Sequence, residues 1–130
     1  MKTNHKLALA VLTGALIGFA GAKTIHAQQA KAPPGYIIYE ADALLDIPNL
    51  QKYAEKVPET LAPFNHRFIV RGGKPEALEG EPPQSIVVIA FDSVEKAREW
   101  YDSPAYRAIK PIRQSASKGS LLIVEGVVPQ

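Results

Sequence analysis

The chain has 130 residues, a length typical of one domain, and carries 15 Lys and Arg against 13 Asp and Glu, with no cysteine. The absence of cysteine excludes disulfides and thiolate catalysis and removes the ligands of most structural zinc sites. The charges are scattered, without the basic patch that nucleic-acid binding requires.

The N-terminal residues predict a secretory signal peptide over residues 1–27. The uncharged apolar run "LALAVLTGALIGFAGA" (7–22) follows two lysines. It is shorter than the ~20 residues of a membrane span, and it ends in small residues that favour cleavage. Cleavage is expected after Ala27 or after Ala22, with an uncleaved membrane anchor as the competing interpretation. The expected location is periplasmic or secreted, with no membrane association after cleavage.

A polar, proline-containing segment, "QQAKAPPG" (28–35), predicts a flexible tether before a domain over residues 36–128. Three of the 15 basic residues leave with the signal peptide, so 12 remain against 13 acidic ones, a net charge of −1. The basicity of the whole chain therefore belongs to its leader.

The domain begins with a predicted strand and helix. "YIIYEA" (36–41) is rich in β-branched and aromatic residues, as strands are. Asp46 and Pro48 predict a helix start, as the N-cap and a first-turn proline. Apolar residues then recur at helical spacing and predict one apolar face of this helix, made of Leu50, Tyr53, Ala54, Val57 and Leu61.

Two strands follow. In "RFIVRGG" (67–73), alternation places Phe68 and Val70 on one face and Arg71 on the other, before a glycine pair ends the strand. "SIVVIAF" (85–91) is a continuous apolar strand.

Asp92 or Ser93 is expected to cap the next helix, which runs to about Tyr101. Ser103, with the proline after it, predicts a new helix start, and a last strand is expected over 120–128. The expected core residues of the two helical segments are Val94, Ala97, Tyr101, Ala105, Ala108, Ile109 and Ile112.

The element order predicts an α+β, ferredoxin-like βαββαβ fold, a four-stranded antiparallel sheet with its helices on one face. The other face of such a sheet is normally polar. Here, however, residues 85–91 and 121–124 are apolar on both faces. A second copy is predicted to cover the exposed face, which gives a homodimer. A monomer with unusually hydrophobic strands is the alternative.

The segments "RFIVRGGKPEALEG" and "IVVIAFDSVEKAREWYDSPAYRAIKPIRQSASKGSLLIVEGV" resemble a small bacterial family classified as a domain of unknown function (number 1330), in the dimeric α+β barrel superfamily. The resemblance spans residues 36–127 and implies a ferredoxin-like fold and a homodimer with packed sheets. It implies no particular activity, since the superfamily includes cofactor-free monooxygenases, lactone isomerases and haem enzymes. The positions that match the family pattern are Arg71, Gly72, Gly73, Trp100, Tyr101, Ser103, Tyr106 and Arg113.

The stretch "EWYDSPAYRAIKPIRQ" (99–114) concentrates the candidate site residues. Tyr106 and Arg113 are seven apart and project from one side of a helix, where a phenol and a guanidinium can orient a small carboxylate or enolate. Alternatively, Tyr106 lies at the core edge and Arg113 pairs with an acid. Arg71 is expected at the pocket mouth or in an ion pair across the dimer.

Trp100 falls off the predicted inner stripe, so it caps a cavity or packs at an interface. With Tyr101 it would form an apolar wall of the pocket. The candidate ligand-binding residues are therefore Arg71, Trp100, Tyr101, Ser103, Tyr106 and Arg113, and no catalytic residue is assigned.

His66 is the only histidine after Ala27, and a lone histidine gives little support for haem or a metal. Neither a cofactor nor a metal is expected. The functional hypothesis is an exported homodimer that binds a small anionic or aromatic organic molecule, with cofactor-independent isomerase or monooxygenase chemistry left open. The alternative is a non-catalytic interaction or structural module.

Overall fold

The computed structural model describes residues 31–130. The predicted signal peptide, residues 1–27, lies outside the described residues, as does the start of the tether. No helix in the described part has the length and apolar character to cross a membrane. The elements are β1 (Gly35–Leu44), α1 (Ile47–Leu61), β2 (His66–Gly73), β3 (Ser85–Phe91), α2 (Val94–Asp102), α3 (Pro104–Ala116) and β4 (Ser117–Glu125).

The four strands form one antiparallel sheet in the order β2-β3-β1-β4. This is the predicted ferredoxin-like arrangement, with the second helical crossover divided at Ser103 into α2 and α3. α2 packs on β1, β3 and β4, whereas α1 packs chiefly against α3 rather than on the sheet. That difference leaves space between α1 and the sheet.

The helix starts follow the predicted capping chemistry. Asp46 accepts a hydrogen bond from the backbone N–H of Asn49, and Pro48 lies in the first turn of α1. Ser93 caps α2 by accepting from the N–H of Lys96. Local side-chain chemistry therefore fixes where both helices begin.

The core is centred on Trp100, which is only 1% exposed. Its Nε1 donates to Oγ1 of Thr60 at 3.0 Å, and its ring lies 4.1 Å from that of Tyr106, centroid to centroid. Trp100 was expected off the inner stripe of its helix, and this expectation is wrong. Burying the large indole removes more apolar area from water than burying its smaller neighbours, and Thr60 satisfies its N–H.

The buried face of α3 also differs from the expected one. Ala105 and Ala108 are exposed. A phenol ring contributes far more apolar area than a methyl group, so the helix is turned to bury Tyr106 instead of these alanines. The buried residues of α3 are Tyr106, Ile109, Arg113 and Ala116.

The last strand was expected over 120–128, but β4 begins at Ser117, directly after α3. The N–H of Ser117 makes the last helical hydrogen bond, to the carbonyl of Arg113, and the extended backbone of Ser117 ends the helix. Gly119 lies where β1 and β4 approach so closely that a Cβ would collide with the carbonyl oxygen of Glu40.

Candidate ligand-binding site

A cleft lies between α1 and the helix-facing side of the sheet. It consists of two adjoining cavities of about 90 and 250 Å³, which share the lining residues Tyr39, Tyr53, Ala54 and Val87. Arg71 and Trp100 line the smaller cavity, and Arg113 and Leu50 line the larger. Among residues 31–130, no Asp, Glu, His or Lys lines either cavity.

Arg113 is a buried cation without an anionic partner in the part of the chain that the structure describes. It is 7% exposed, and no Asp or Glu within residues 31–130 forms an ion pair with it. Its Nε donates to the phenol oxygen of Tyr106 at 3.4 Å, and its Cζ lies 4.8 Å from the ring centroid of Tyr39. The guanidinium is thus held by neutral aromatic groups rather than by a carboxylate.

Three phenols surround this guanidinium, two of them hydrogen-bonded to each other and the third to a serine hydroxyl. The hydroxyls of Tyr53 and Tyr106 lie 2.8 Å apart. The hydroxyl of Tyr39 lies 2.6 Å from Oγ of Ser117, and that Oγ donates to the carbonyl of Arg113 at 2.9 Å. Because the Ser117 hydroxyl has one hydrogen, Tyr39 donates to Ser117.

The protonation states follow from this setting. Burial raises the pKa of Tyr53 strongly, and its contact with Tyr106 raises it further, so the Tyr53 phenol stays protonated at physiological pH. Burial alone would lower the pKa of Arg113, but Tyr106 and the other phenols outweigh it, and the pKa is raised. Arg113 therefore stays charged.

The predicted alternation along β2 is wrong at Arg71. Phe68 and Val70 pair with consecutive residues of β3, so Ile69 is the extra residue of a β-bulge. A single inserted residue reverses the inside-outside pattern that follows it. Arg71 consequently shares the helix-facing side with Phe68, its Cζ 4.5 Å from that ring centroid, and lines the cleft.

The other candidates have different positions. Ser103 caps α3 by accepting from the N–H of Tyr106, and its hydroxyl donates to the carbonyl of Trp100. Tyr101 is half-buried beneath Lys110, whose Nζ lies 4.5 Å from its ring centroid. Neither Ser103 nor Tyr101 lines the cleft.

The structure thus brings Arg71, Trp100 and Arg113 into one cleft, with Tyr106 supporting Arg113. Sequence reasoning missed Tyr39 and Tyr53. Tyr53 did fall on the predicted apolar face of α1, and a hydroxyl on such a face is the signal that could have identified it.

Residues 34–127 match the model of a family described as domain of unknown function (DUF1330). The chain belongs to this family. The match covers every strand and helix of the DUF1330 domain as described above. No protein among the curated ones matches the chain.

Solved structures show the same fold. A protein of unknown function from Rhodopseudomonas palustris is 16% identical to this DUF1330 chain, with a TM-score of 0.59 over 85% of this chain and 94% of that one. A dimeric ferredoxin-like protein of unknown function from Thermobifida fusca is 15% identical, with a TM-score of 0.51 over 75% and 95%. A hypothetical Arabidopsis thaliana protein, also 15% identical, has a TM-score of 0.56 over 81% and 97%. At these identities the likeness shows the fold alone.

Proposed function

We propose that this DUF1330 protein binds a small organic acid in the cleft between α1 and the sheet, with Arg113 as the partner of the acid group. The observation that carries the proposal is a buried, charged guanidinium without a carboxylate partner among the described residues. Burying a charge without a compensating opposite charge lowers the stability of the folded state by on the order of several kcal/mol. The carboxylate of a ligand supplies that charge.

The surroundings of Arg113 suit a carboxylate attached to an apolar body. The planar guanidinium can donate two parallel hydrogen bonds to a carboxylate, while its Nε remains engaged with Tyr106. Tyr53 adds a protonated phenol to the cleft. Val87 and Leu50 give apolar walls, which is the usual composition of a small-molecule site.

The cleft favours binding over catalysis. General-base chemistry needs a group that can take a proton near neutral pH, such as His, Asp or Glu. Among the described residues, no such group lines either cavity. The raised pKa of Tyr53 keeps this phenol protonated, so it cannot act as the base near neutral pH. Isomerase or monooxygenase chemistry within one chain therefore has less support than binding. A non-catalytic interaction module remains the second candidate, and it predicts no dependence on small acids.

The test is titration calorimetry with 4-methylbenzoate, a monocarboxylate with a flat apolar body. We expect saturable binding by the wild type, and at least a tenfold loss of affinity in Arg113→Gln. Arg107→Gln is the matched control, because Arg107 is exposed on the same helix. Equal affinities in the wild type and Arg113→Gln, or no binding of any small carboxylate, would refute the anion role.

Homodimerisation is part of the same proposal. On the sheet face away from the helices, Val70, Val88, Ile38 and Leu122 follow one another across the four strands as register partners. Leu122 is 47% exposed. An aliphatic row of this kind is typical of a surface that packs against another protein. The dimeric Thermobifida fusca protein supports a second copy as the occupant.

We further propose that the protein is exported, on the strength of the apolar segment 7–22 after two lysines. Mass spectrometry of the purified protein should find a mature N-terminus after Ala27 or Ala22. An intact leader on protein from the membrane fraction would instead indicate an anchor.

A further inference from the structure

One row of register partners crosses the helix-facing side of the sheet beneath the cleft. Arg71 on β2 pairs with Val87 on β3, Val87 pairs with Tyr39 on β1, and Tyr39 pairs with Leu121 on β4. All four line the smaller cavity. The two central members of the row, Val87 and Tyr39, also line the larger cavity.

This row sets the spacing of the two cationic side chains. The guanidinium of Arg113 lies over the ring of Tyr39, and Arg71 starts from the same row two strands away. Two interstrand spacings amount to about 10 Å. The floor between the two arginines is the side chain of Val87, which is apolar.

The charges along this row are unbalanced. Two guanidinium groups line one cleft whose described walls contain no acid. Arg113 is buried, whereas Arg71 is exposed and stacks on Phe68. A ligand with one acid group can satisfy Arg113 but leaves Arg71 without a partner in the cleft.

We infer that the ligand is a dicarboxylate, whose two acid groups are joined by a flat apolar spacer. This inference rests on the proposed function and specifies its substrate class. One carboxylate pairs with the buried Arg113, and the spacer lies over Val87. The second carboxylate pairs with the exposed Arg71, which makes Arg71 the residue that distinguishes dicarboxylates from monocarboxylates.

The experiment compares terephthalate with 4-methylbenzoate. The two acids differ at one ring position, where terephthalate carries a second carboxylate and 4-methylbenzoate carries a methyl group. We expect the wild type to bind terephthalate roughly three- to fivefold more tightly, the effect of one partly exposed charge pair. Arg71→Gln should abolish this preference by weakening the binding of terephthalate more than the binding of 4-methylbenzoate. Arg98→Gln, an exposed arginine outside both linings, is the matched control and should retain the preference.

Because Arg71 is exposed on an edge strand, Arg71→Gln should fold, and its melting temperature verifies this. The preference for terephthalate should also shrink as the salt concentration rises from 0.05 to 0.5 M, because salt screens a partly exposed charge pair. The screening length is already as short as ~8 Å at physiological ionic strength. If both acids bind wild type equally, or Arg71→Gln weakens both alike, the dicarboxylate inference is wrong and the proposed function stands. If neither acid binds, the proposed function itself fails.

Discussion

The Nε of Arg113 donates to the phenol oxygen of Tyr106, 3.4 Å away and seven residues earlier on α3. Two turns of helix bring both side chains to one face, and that face is buried. The phenol orients the guanidinium without neutralising it. Because the groups that contact Arg113 are neutral, its positive charge remains available to pair with the acid group of a ligand.

Replacing Arg113 with the apolar, similarly long methionine should leave the ligand-free protein as stable as the wild type or more so. Replacing even a buried ion pair with apolar side chains is often neutral or stabilising, by ~1–4 kcal/mol, and a cation without a charged partner loses no ion pair when it is replaced. Urea unfolding of wild type and Arg113→Met measures the difference. A loss above ~3 kcal/mol would show instead that the guanidinium is structural.

The paired phenols should contribute unequally to stability. Tyr106→Phe removes the hydroxyl that contacts both Tyr53 and Arg113, so it should cost about 1–2 kcal/mol. Tyr53→Phe leaves the Tyr106–Arg113 contact in place and should cost about 1 kcal/mol or less. In a double-mutant cycle, a coupling energy near zero would contradict the hydroxyl–hydroxyl hydrogen bond.

Stability should decline above about pH 10, the ordinary pKa of a tyrosine in the unfolded chain. The folded pKa of Tyr53 is raised, so the folded state keeps a proton that the unfolded state releases. Its contribution is therefore complete below the unfolded pKa and is lost as pH rises, at up to ~1.4 kcal/mol per pH unit. Guanidinium unfolding between pH 9 and 11 should show a shallower decline in Tyr53→Phe. Identical slopes would rule out a raised pKa for Tyr53.

Gly119→Ala should destabilise the sheet by more than ~2 kcal/mol, because the new Cβ meets the backbone of β1 at Glu40. Gly73→Ala is the control. A Cβ at Gly73 reaches only to 3.4 Å of a Val70 methyl group, so that change should cost little. Thermal unfolding of both variants provides the comparison, and equal losses would mean that the β1–β4 approach is not close.

Leu122→Glu should convert the proposed dimer to a monomer, since it places a charge in the aliphatic row of the outer sheet face. Leu78→Glu is the control, because Leu78 is 92% exposed in the loop between β2 and β3. Sedimentation velocity at micromolar concentration distinguishes the two states. A wild-type monomer under these conditions would overturn the dimer proposal.

Local chemistry made much of the fold predictable from the sequence. The strand at 85–91 was predicted with the bounds it has in the structure, because an apolar run between turn signals leaves little choice. Ser103 and Pro104 marked the start of α3, because a serine hydroxyl and a proline without an N–H both suit the first turn.

The site was predictable only in part. The spacing of Tyr106 and Arg113 was sufficient to predict that both side chains project from one side of a helix, as they do. The contact between Tyr53 and Tyr106 was not predictable, because these residues are 53 positions apart and meet only when α1 packs on α3. Arg71 was misplaced because a bulge at Ile69 leaves no clear trace in the alternation.

The sequence by itself determined the element order, the helix caps and the pairing of a phenol with a guanidinium on α3, since each depends on neighbours within a few positions. Tertiary structure alone decided on which face of the sheet Arg71 lies. It also decided which aromatic rings surround Arg113, and that no carboxylate of the described residues reaches its guanidinium. Those outcomes depend on strand register and helix packing, which are set by the burial of apolar area over the whole domain rather than by any short segment.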